Sequence, residues 1–522
     1  MPSEKSDPPP PLDTPLPRPG SGPPRRALRG VRRAALFVLA FASGFAVLTI
    51  EIAGARLIAP VFGLSAVPWT SVIGVILAAL ALGSHIGGRL ADAGRVPLSW
   101  ILVVAGLTGV VPVLGAGIPW WARGSLGFVP GAVVSAVVLF APPVLCLGAV
   151  VPYLVKAATA SVATVGRRAG DVSAAATAGS IVGTFATGFV LLPAMPLPVL
   201  LGLTAATLLA LAALSGWVLG GSVPTELMVL GALGLAVLGK AGSALPPDVL
   251  HREQTLYAAV EVTERDWGEG RMVRELFQNG GSSSAEYVDT GDPAHRYVDV
   301  SAILLEPRMD RVRSMLVLGG AALSLPVAFA RWKPELRVDA VEIDPAVTAL
   351  AREYFAYGKG SYPTIRVIQD DARVFLHRSG ESYDVIVVDV FDHLLTVPWT
   401  VVTVEALRDA EAHLAPGGVL EVNVLSPLSG PGVAFLQRFR STLGEVFPAV
   451  EAYVTEPESD PAAIQNVLVF AARGSSDLPG AELPGADWPR AAPGPAGRPL
   501  TDAWAPVEYL QARIFLAGVR WN

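Results

Sequence analysis

Seven apolar runs fill the first half of the chain, at 34–57, 68–90, 98–118, 130–152, 173–194, 197–219 and 224–244. Each approaches the ~20 apolar residues that a helix needs to cross the hydrocarbon core of a bilayer. A soluble helix keeps one polar face, so a water-soluble fold does not use a succession of segments that are apolar all round. Composition agrees: 52% of the residues are hydrophobic and 16% charged, against a usual ~45–50% and ~25%. The mean hydropathy of +0.49 is too high for a soluble enzyme. Residues 34–245 are therefore expected to form a multi-pass α-helical domain in the cell membrane. The seventh run is unbroken only from Leu227 to Gly239, so about seven spans are expected, with six or eight possible.

Residues 1–24 are rich in proline and polar residues and cannot bury a core. With the following RRALRGVRR, which holds arginines 25, 26, 29, 32 and 33, they make a disordered, basic amino terminus over 1–33. A cleaved signal peptide is one reading of this start. A first membrane helix fits better, because the apolar run is long, carries Glu51 and Arg56, and is followed by more spans. Basic loops stay in the cytoplasm. The arginine cluster, the Arg89/Arg95 loop and the Lys156/Arg167/Arg168 loop then place the amino end inside. Seven spans would put everything after residue 245 outside, and six or eight would keep it inside. Glu51, Arg56 and His85 are ionisable groups at membrane depth, either functional or simply paired and snorkelling near helix ends. The small residues of GSIVGTFATG (179–188) suit close helix packing.

From about residue 251 charges return, and apolar runs of five to seven residues alternate with helical patterns, as in an α/β domain. Residues 256–281 read as two or three antiparallel strands turning at Asn279-Gly280, within a β-stranded subdomain over 250–310. Residues 475–499 read as a low-complexity linker, leaving a terminal segment over 500–522. The net charge of −6 argues against nucleic-acid binding. The single cysteine, Cys146, excludes an intramolecular disulfide, and six scattered histidines form no metal-ligand pattern, so no metal is expected.

The region 311–474 carries the chemistry. MLVLGG (315–320) is a strand breaking into Gly319 and Gly320, followed by a helix over 324–332. VDAVEID (338–344) is a second strand, and its Glu342 stands where an acid can accept both hydroxyls of a ribose. IRVIQDDARVFL (365–376) delivers Asp370 and Asp371; YDVIVVDVFD (383–392) delivers Asp389 and Asp392; GGVLEVNV (417–424) is a fifth strand. Open α/β sheets bind ligands at the carboxyl ends of their strands. The plain alternative for each acid is a helix N-cap. The turn reads GGAALS rather than GxGxxG, so a nucleoside bearing a sulfonium fits better than a pyrophosphate dinucleotide.

In this order, these residues resemble the spermidine synthase (polyamine aminopropyltransferase) family, in its membrane-fused bacterial branch. The membrane half is similar too, in Glu51…Arg56…Pro60, ALGSHIGGRLAD (81–92) and GSIVGTFATGFVLLP (179–193), as is LTDAWAPVEYL (500–510) near the end. The resemblance implies a Rossmann-like, methyltransferase-type domain with a small β-stranded subdomain before it. It implies aminopropyl transfer from decarboxylated S-adenosylmethionine to an amine, with no prosthetic group. Gly319, Gly320, Glu342, Asp371 and Ala372 would hold the nucleoside, and Asp389 would accept the proton. Asp392, Tyr297 and Asp299 would meet the acceptor.

Three positions depart from the family pattern: Ala322 replaces an aspartate of the glycine loop, Val298 a histidine and Ala258 a glutamine. They set putrescine as acceptor in question. Methyl transfer from S-adenosylmethionine stays open, because Ala322 would not repel that donor's carboxylate. So does a transporter or sensor with a non-catalytic nucleotide domain, its membrane cavity lined by Glu51, Arg56 and His85. The implied partners are a small amine or other acceptor, the lipid bilayer and a second copy of the chain. The cytosolic co-substrate implies a cytoplasmic catalytic domain. His377 and His393 suit surface or capping positions, Arg373 a cap or an ion pair, and Trp399 a gate over the pocket or simple packing.

Overall fold

The computed structural model describes residues 25–479 and 489–516, apart from 64–65, 116, 160–161, 221, 224, 226–227, 230, 232–244, 269, 392–395 and 495–496. The amino-terminal half is a helical bundle. Its main helices are α1 (Arg25–Phe62), α2 (Ala66–Ala93), α3 (Leu98–Thr108), α4 (Phe128–Gly148), α5 (Val165–Ala186) and α6 (Leu197–Leu219). Among the described residues, five helical stretches are long and apolar enough to cross a membrane: Arg32–Phe62, Ala66–Ala93, Phe128–Ala158, Val162–Ala194 and Leu197–Leu219. The pair Leu98–Leu114 and Ile118–Leu126, bent by 69°, is a sixth candidate. Because α1 starts at Arg25, the arginine segment expected in a disordered tail is continuous with the first helix. The tail 1–24 and most of the seventh apolar run lie outside the described residues.

Small residues let α1 and α5 touch backbone to backbone. A Cβ on Gly179 would collide with the Phe41 carbonyl, and one on Gly183 would crowd Phe45. Thr49 and Thr187 share a hydroxyl hydrogen bond of 3.0 Å in the same seam. Such small residues let helix backbones approach closely enough for van der Waals and hydroxyl contacts.

The second half begins with a four-stranded antiparallel sheet, β1 (Val249–Gln254), β2 (Ala259–Asp266), β3 (Met272–Gln278) and β4 (Gly281–Tyr287), in that spatial order. Asn279 and Gly280 turn β3 into β4 with positive φ of 49° and 81°, the geometry for which Asn-Gly is the favoured pair. Residues 256–281, where two or three strands were expected, hold β2, β3 and the start of β4, and one more strand precedes them. The extra one, β1, reads VLHREQ, too polar to signal a strand by itself.

Seven strands follow: β5 (Ser314–Leu318), β6 (Arg337–Glu342), β7 (Ile365–Gln369), β8 (Tyr383–Val388), β9 (Leu414–Ser426), β10 (Ala449–Val454) and β11 (Gln465–Ala472). Their order is β10-β11-β9-β8-β5-β6-β7. β8, β5, β6 and β7 pair in parallel, as do β8 and β9, whereas β11 runs antiparallel to both neighbours. This is the Rossmann-like, methyltransferase-type fold. Buried runs such as Met315–Leu318 and Val385–Val388 are apolar on both faces because helices cover both sides of a parallel sheet. The strand expected over 365–376 ends at Gln369, where Asp371 caps helix Ala372–Arg378 by accepting the Val374 N–H at 2.9 Å. The strand order reverses between β5 and β8, and the crevice outside the strand ends at such a point is where these folds bind ligands.

Candidate active site

A cavity of about 620 Å³ lies against those strand ends, lined among others by Gly319, Glu342, Asp371, Asp389, Asn423 and Trp399. At β5 the chain leaves the sheet through Gly319, whose φ is +93°. A Cβ there would strike the backbone carbonyl of Asp389, so only glycine allows β5 and β8 to close on each other at this point. The Gly319 and Gly320 N–H groups both donate to the Val341 carbonyl, at 3.0 and 3.1 Å. Gly320 packs behind the wall, its Cα facing Leu323 and the Glu342 side chain.

Glu342 ends β6 and is 5% exposed. One oxygen accepts the Ala321 N–H at 2.8 Å and the other the Asp344 N–H at 2.9 Å. Burial pushes its pKa up to about 7, against the pull of those backbone donors. Each carboxylate oxygen keeps a lone pair for a further donor, so the group can still receive ribose hydroxyls. Asp370, Asp371 and Ala372, after β7, line the same cavity. Asp370 is tied to Arg378 at 2.9 Å.

Asp389 follows β8. Its Oδ2 accepts the Tyr297 hydroxyl at 2.6 Å and its Oδ1 accepts the Asn423 amide at 2.9 Å. Asn423 in turn accepts from Asn466 at 3.0 Å. Burial raises the Asp389 pKa, and the two hydrogen bonds pull it back down. The Tyr297 hydroxyl is held well above its ordinary range, first by burial and then by Asp389. His295, beside Tyr297 with ring centres 5.9 Å apart, is pushed down to about 4 by burial and is neutral at physiological pH. Behind Asn423 on β9, Glu421 is fully buried and pushed up to about 8 by burial. It accepts the Ser301 hydroxyl at 2.8 Å through one oxygen.

Tyr297 and Asp299 part company. Both lie on helix α7 (Arg296–Leu305), and two residues of helix turn a side chain by roughly 200°. Tyr297 enters the main cavity, whereas Asp299 lines a neighbouring one with Arg271, Asp292 and Arg331. The expectation that Asp299 shares the acceptor pocket is thus corrected. Asp392 and His393 lie outside the described residues. His377 is exposed and 3.5 Å from Asp409, and Arg373 pairs with Asp409 and Asp502. Ala322, Val298 and Ala258 are buried, and none lines the main cavity. Asn423, Asn466, His295 and Glu421 were not anticipated. Glu421 and Asn423, alternating within the otherwise apolar GGVLEVNV, were the available signal. No cluster of potential metal ligands occurs among the described residues.

An open sheet of this order, with a buried acid at the end of β6 and a second just after β8 held by a tyrosine and an asparagine, defines a Rossmann-like domain with two carboxylates at its strand ends. Residues 298–467 match the spermine/spermidine synthase domain. It is similar to the polyamine aminopropyltransferase of Vibrio vulnificus, at 31% identity over 34% of this chain and 60% of that protein. It is also similar to that of Mycobacterium tuberculosis, at 29% identity over 59% of this chain and 61% of the relative. The chain thus spans about three fifths of the length of these two curated relatives. Among solved structures, a probable spermidine synthase from Corynebacterium glutamicum superposes with a TM-score of 0.39 at 20% identity, covering 53% of this chain and 97% of the other.

Proposed function

We propose that the protein is a membrane-bound transferase that moves an aminopropyl group from decarboxylated S-adenosylmethionine to an amine. The observation that carries this reading is the Asp389 carboxylate, oriented by Tyr297 and Asn423 in the cavity that also holds Glu342. In the reaction an amine nitrogen attacks the aminopropyl carbon attached to sulfur. The carbon–sulfur bond breaks, its electron pair stays on sulfur, and methylthioadenosine leaves as a neutral thioether. Asp389 takes the proton that the attacking nitrogen loses, a general-base role. Glu342 holds the ribose hydroxyls, and Asp371 with Ala372 flanks the base. The carboxylates also draw a cationic donor and a cationic acceptor into one low-dielectric cleft.

The aliphatic residues at 258, 298 and 322, where the resembled family carries polar ones, are buried outside the main cavity, and the acceptor is proposed only as an amine. The long apolar helices support anchoring in a bilayer. Alkaline carbonate extraction tests the anchoring: the chain should stay with the membrane pellet. Calorimetry on detergent-purified protein tests the donor, with methylthioadenosine, decarboxylated S-adenosylmethionine and S-adenosylmethionine as ligands. The decarboxylated donor should bind tightest, and Glu342→Ala should weaken all three. Preference for the carboxylated donor would replace this reading with methyl transfer.

A further inference from the structure

The helix contacts sort the bundle into two chemically different ends. α1 and α5 run the same way, since Phe41, Phe45 and Thr49 meet Gly179, Gly183 and Thr187 in register. α2 and α4 also run together, Gly83 facing Leu145 and Gly87 facing Ala149. α3 and α6 are antiparallel: Ser99 donates to the Ser222 carbonyl at 2.6 Å, and Gly106 faces Leu209. One end therefore gathers the start of α1, the end of α2, the end of helix Val150–Ala158 and the start of α5. Arginines 25, 26, 29, 32, 33, 89, 95, 167 and 168 belong to it, together with Lys156, which donates to the Ala91 carbonyl. The opposite end, made of the α1–α2 turn, helix Ile118–Leu126, the start of α4 and the 187–200 segment, has Arg56 and Arg123 as its basic residues.

The α/β half is seated on this second end. The Arg56 guanidinium donates to the Leu256 carbonyl at 2.7 Å, and the Ala66 N–H at the start of α2 donates to the Glu508 carboxylate at 2.8 Å. Gly280, in the β3–β4 turn, sits so close to the Pro60 carbonyl that a Cβ would collide with it. Gly280 and Glu508 also line the main cavity. The chain leaves α6 at the basic end, where Ser222 is fixed by Ser99, and enters β1 on the far side. Gly231 already packs back along α6 at Leu209.

Because basic loops are retained in the cytoplasm, we propose that the α/β half sits on the non-cytoplasmic face of the bilayer, docked on the α1–α2 rim with its cavity at that junction. This inference rests on the membrane-bound reading above and reverses the cytoplasmic placement that a cytosolic co-substrate implies. A transport reaction carrying the sulfonium donor out of the cytosol must then precede the transfer.

Single cysteines at exposed positions of the two ends, Asp310→Cys in the α/β half and Ala93→Cys after α2, test it in a Cys146→Ala background. A membrane-impermeant maleimide is applied to sealed spheroplasts. The inference expects Asp310→Cys to label at once and Ala93→Cys only after lysis. The reverse order, or equal labelling of both before lysis, overturns it. Release of the chain by carbonate would overturn the membrane reading along with it. Donor binding in detergent is independent of sidedness, so failure of the transferase reading would show there alone.

Discussion

At the ends of β6 and β7 the cavity wall is made within adjacent strand–loop units: Glu342 is gripped by the N–H of Asp344, two residues on, and of Ala321, 21 residues earlier in the loop after β5, and Asp371 caps the helix that follows it. Under β8 and β9 it is made by strangers. Asp389 is held by Tyr297, 92 residues earlier, and by Asn423, 34 residues later. The end proposed to hold the nucleoside is thus organised by contacts within adjacent strand–loop units. The end proposed to meet the amine is organised by tertiary contacts between distant segments.

Substitutions at four positions press on this difference. Asp389→Asn removes the proton acceptor but keeps the shape, so kcat should fall by roughly 10²–10⁴-fold. Methylthioadenosine affinity, measured by calorimetry, should barely move; a matching loss there would erase the distinction between the two ends. Glu342→Ala should act the other way, weakening the donor by roughly 10–100-fold through lost charge-assisted hydrogen bonds. Since the Glu342 pKa is about 7, nucleoside affinity should rise as pH climbs through that value in the wild type. The rise should be absent in Glu342→Gln.

Tyr297→Phe takes away a hydrogen bond that lowers the Asp389 pKa. The acid limb of kcat/KM should move to higher pH, with a rate loss of roughly 10-fold at neutral pH, what one lost hydrogen bond is worth. An unmoved limb would mean that Asp389 does not titrate in turnover. The smallest catalytic effect belongs to Glu421→Gln, whose signature is stability. In the unfolded chain this glutamate ionises above its ordinary value of 4.5, while in the folded protein it keeps its proton to about 8. The folded state binds the extra proton between those values, so stability falls as pH rises through that window, by up to ~1.4 kcal/mol per pH unit. Glu421→Gln should flatten this slope in thermal melts, and an unchanged slope would assign it to other groups.

What sequence reasoning could reach follows the same division. Apolar runs, the Asn279-Gly280 turn and acids at strand ends are local signals, and they gave the helical half, the parallel sheet, Glu342 and Asp389. Distant pairing left no such trace. Asn466 reaches Asn423 across the antiparallel pair β9–β11, and His295 enters the wall from the residue before α7. Asp299 was misplaced because a tripeptide similar to a family run was read as one surface, although a helix sends Tyr297 and Asp299 to opposite sides. The expected strand over 365–376 overruns because RVFL carries the apolar pattern on into the helix that Asp371 caps.

The most direct test is a turnover assay with purified protein, decarboxylated S-adenosylmethionine and a panel of diamines and polyamines, following methylthioadenosine release. The account predicts release that depends on an amine, yields an aminopropylated product in equal amount and collapses in Asp389→Asn. Amine-independent release, or none with any amine while the donor binds, would contradict it.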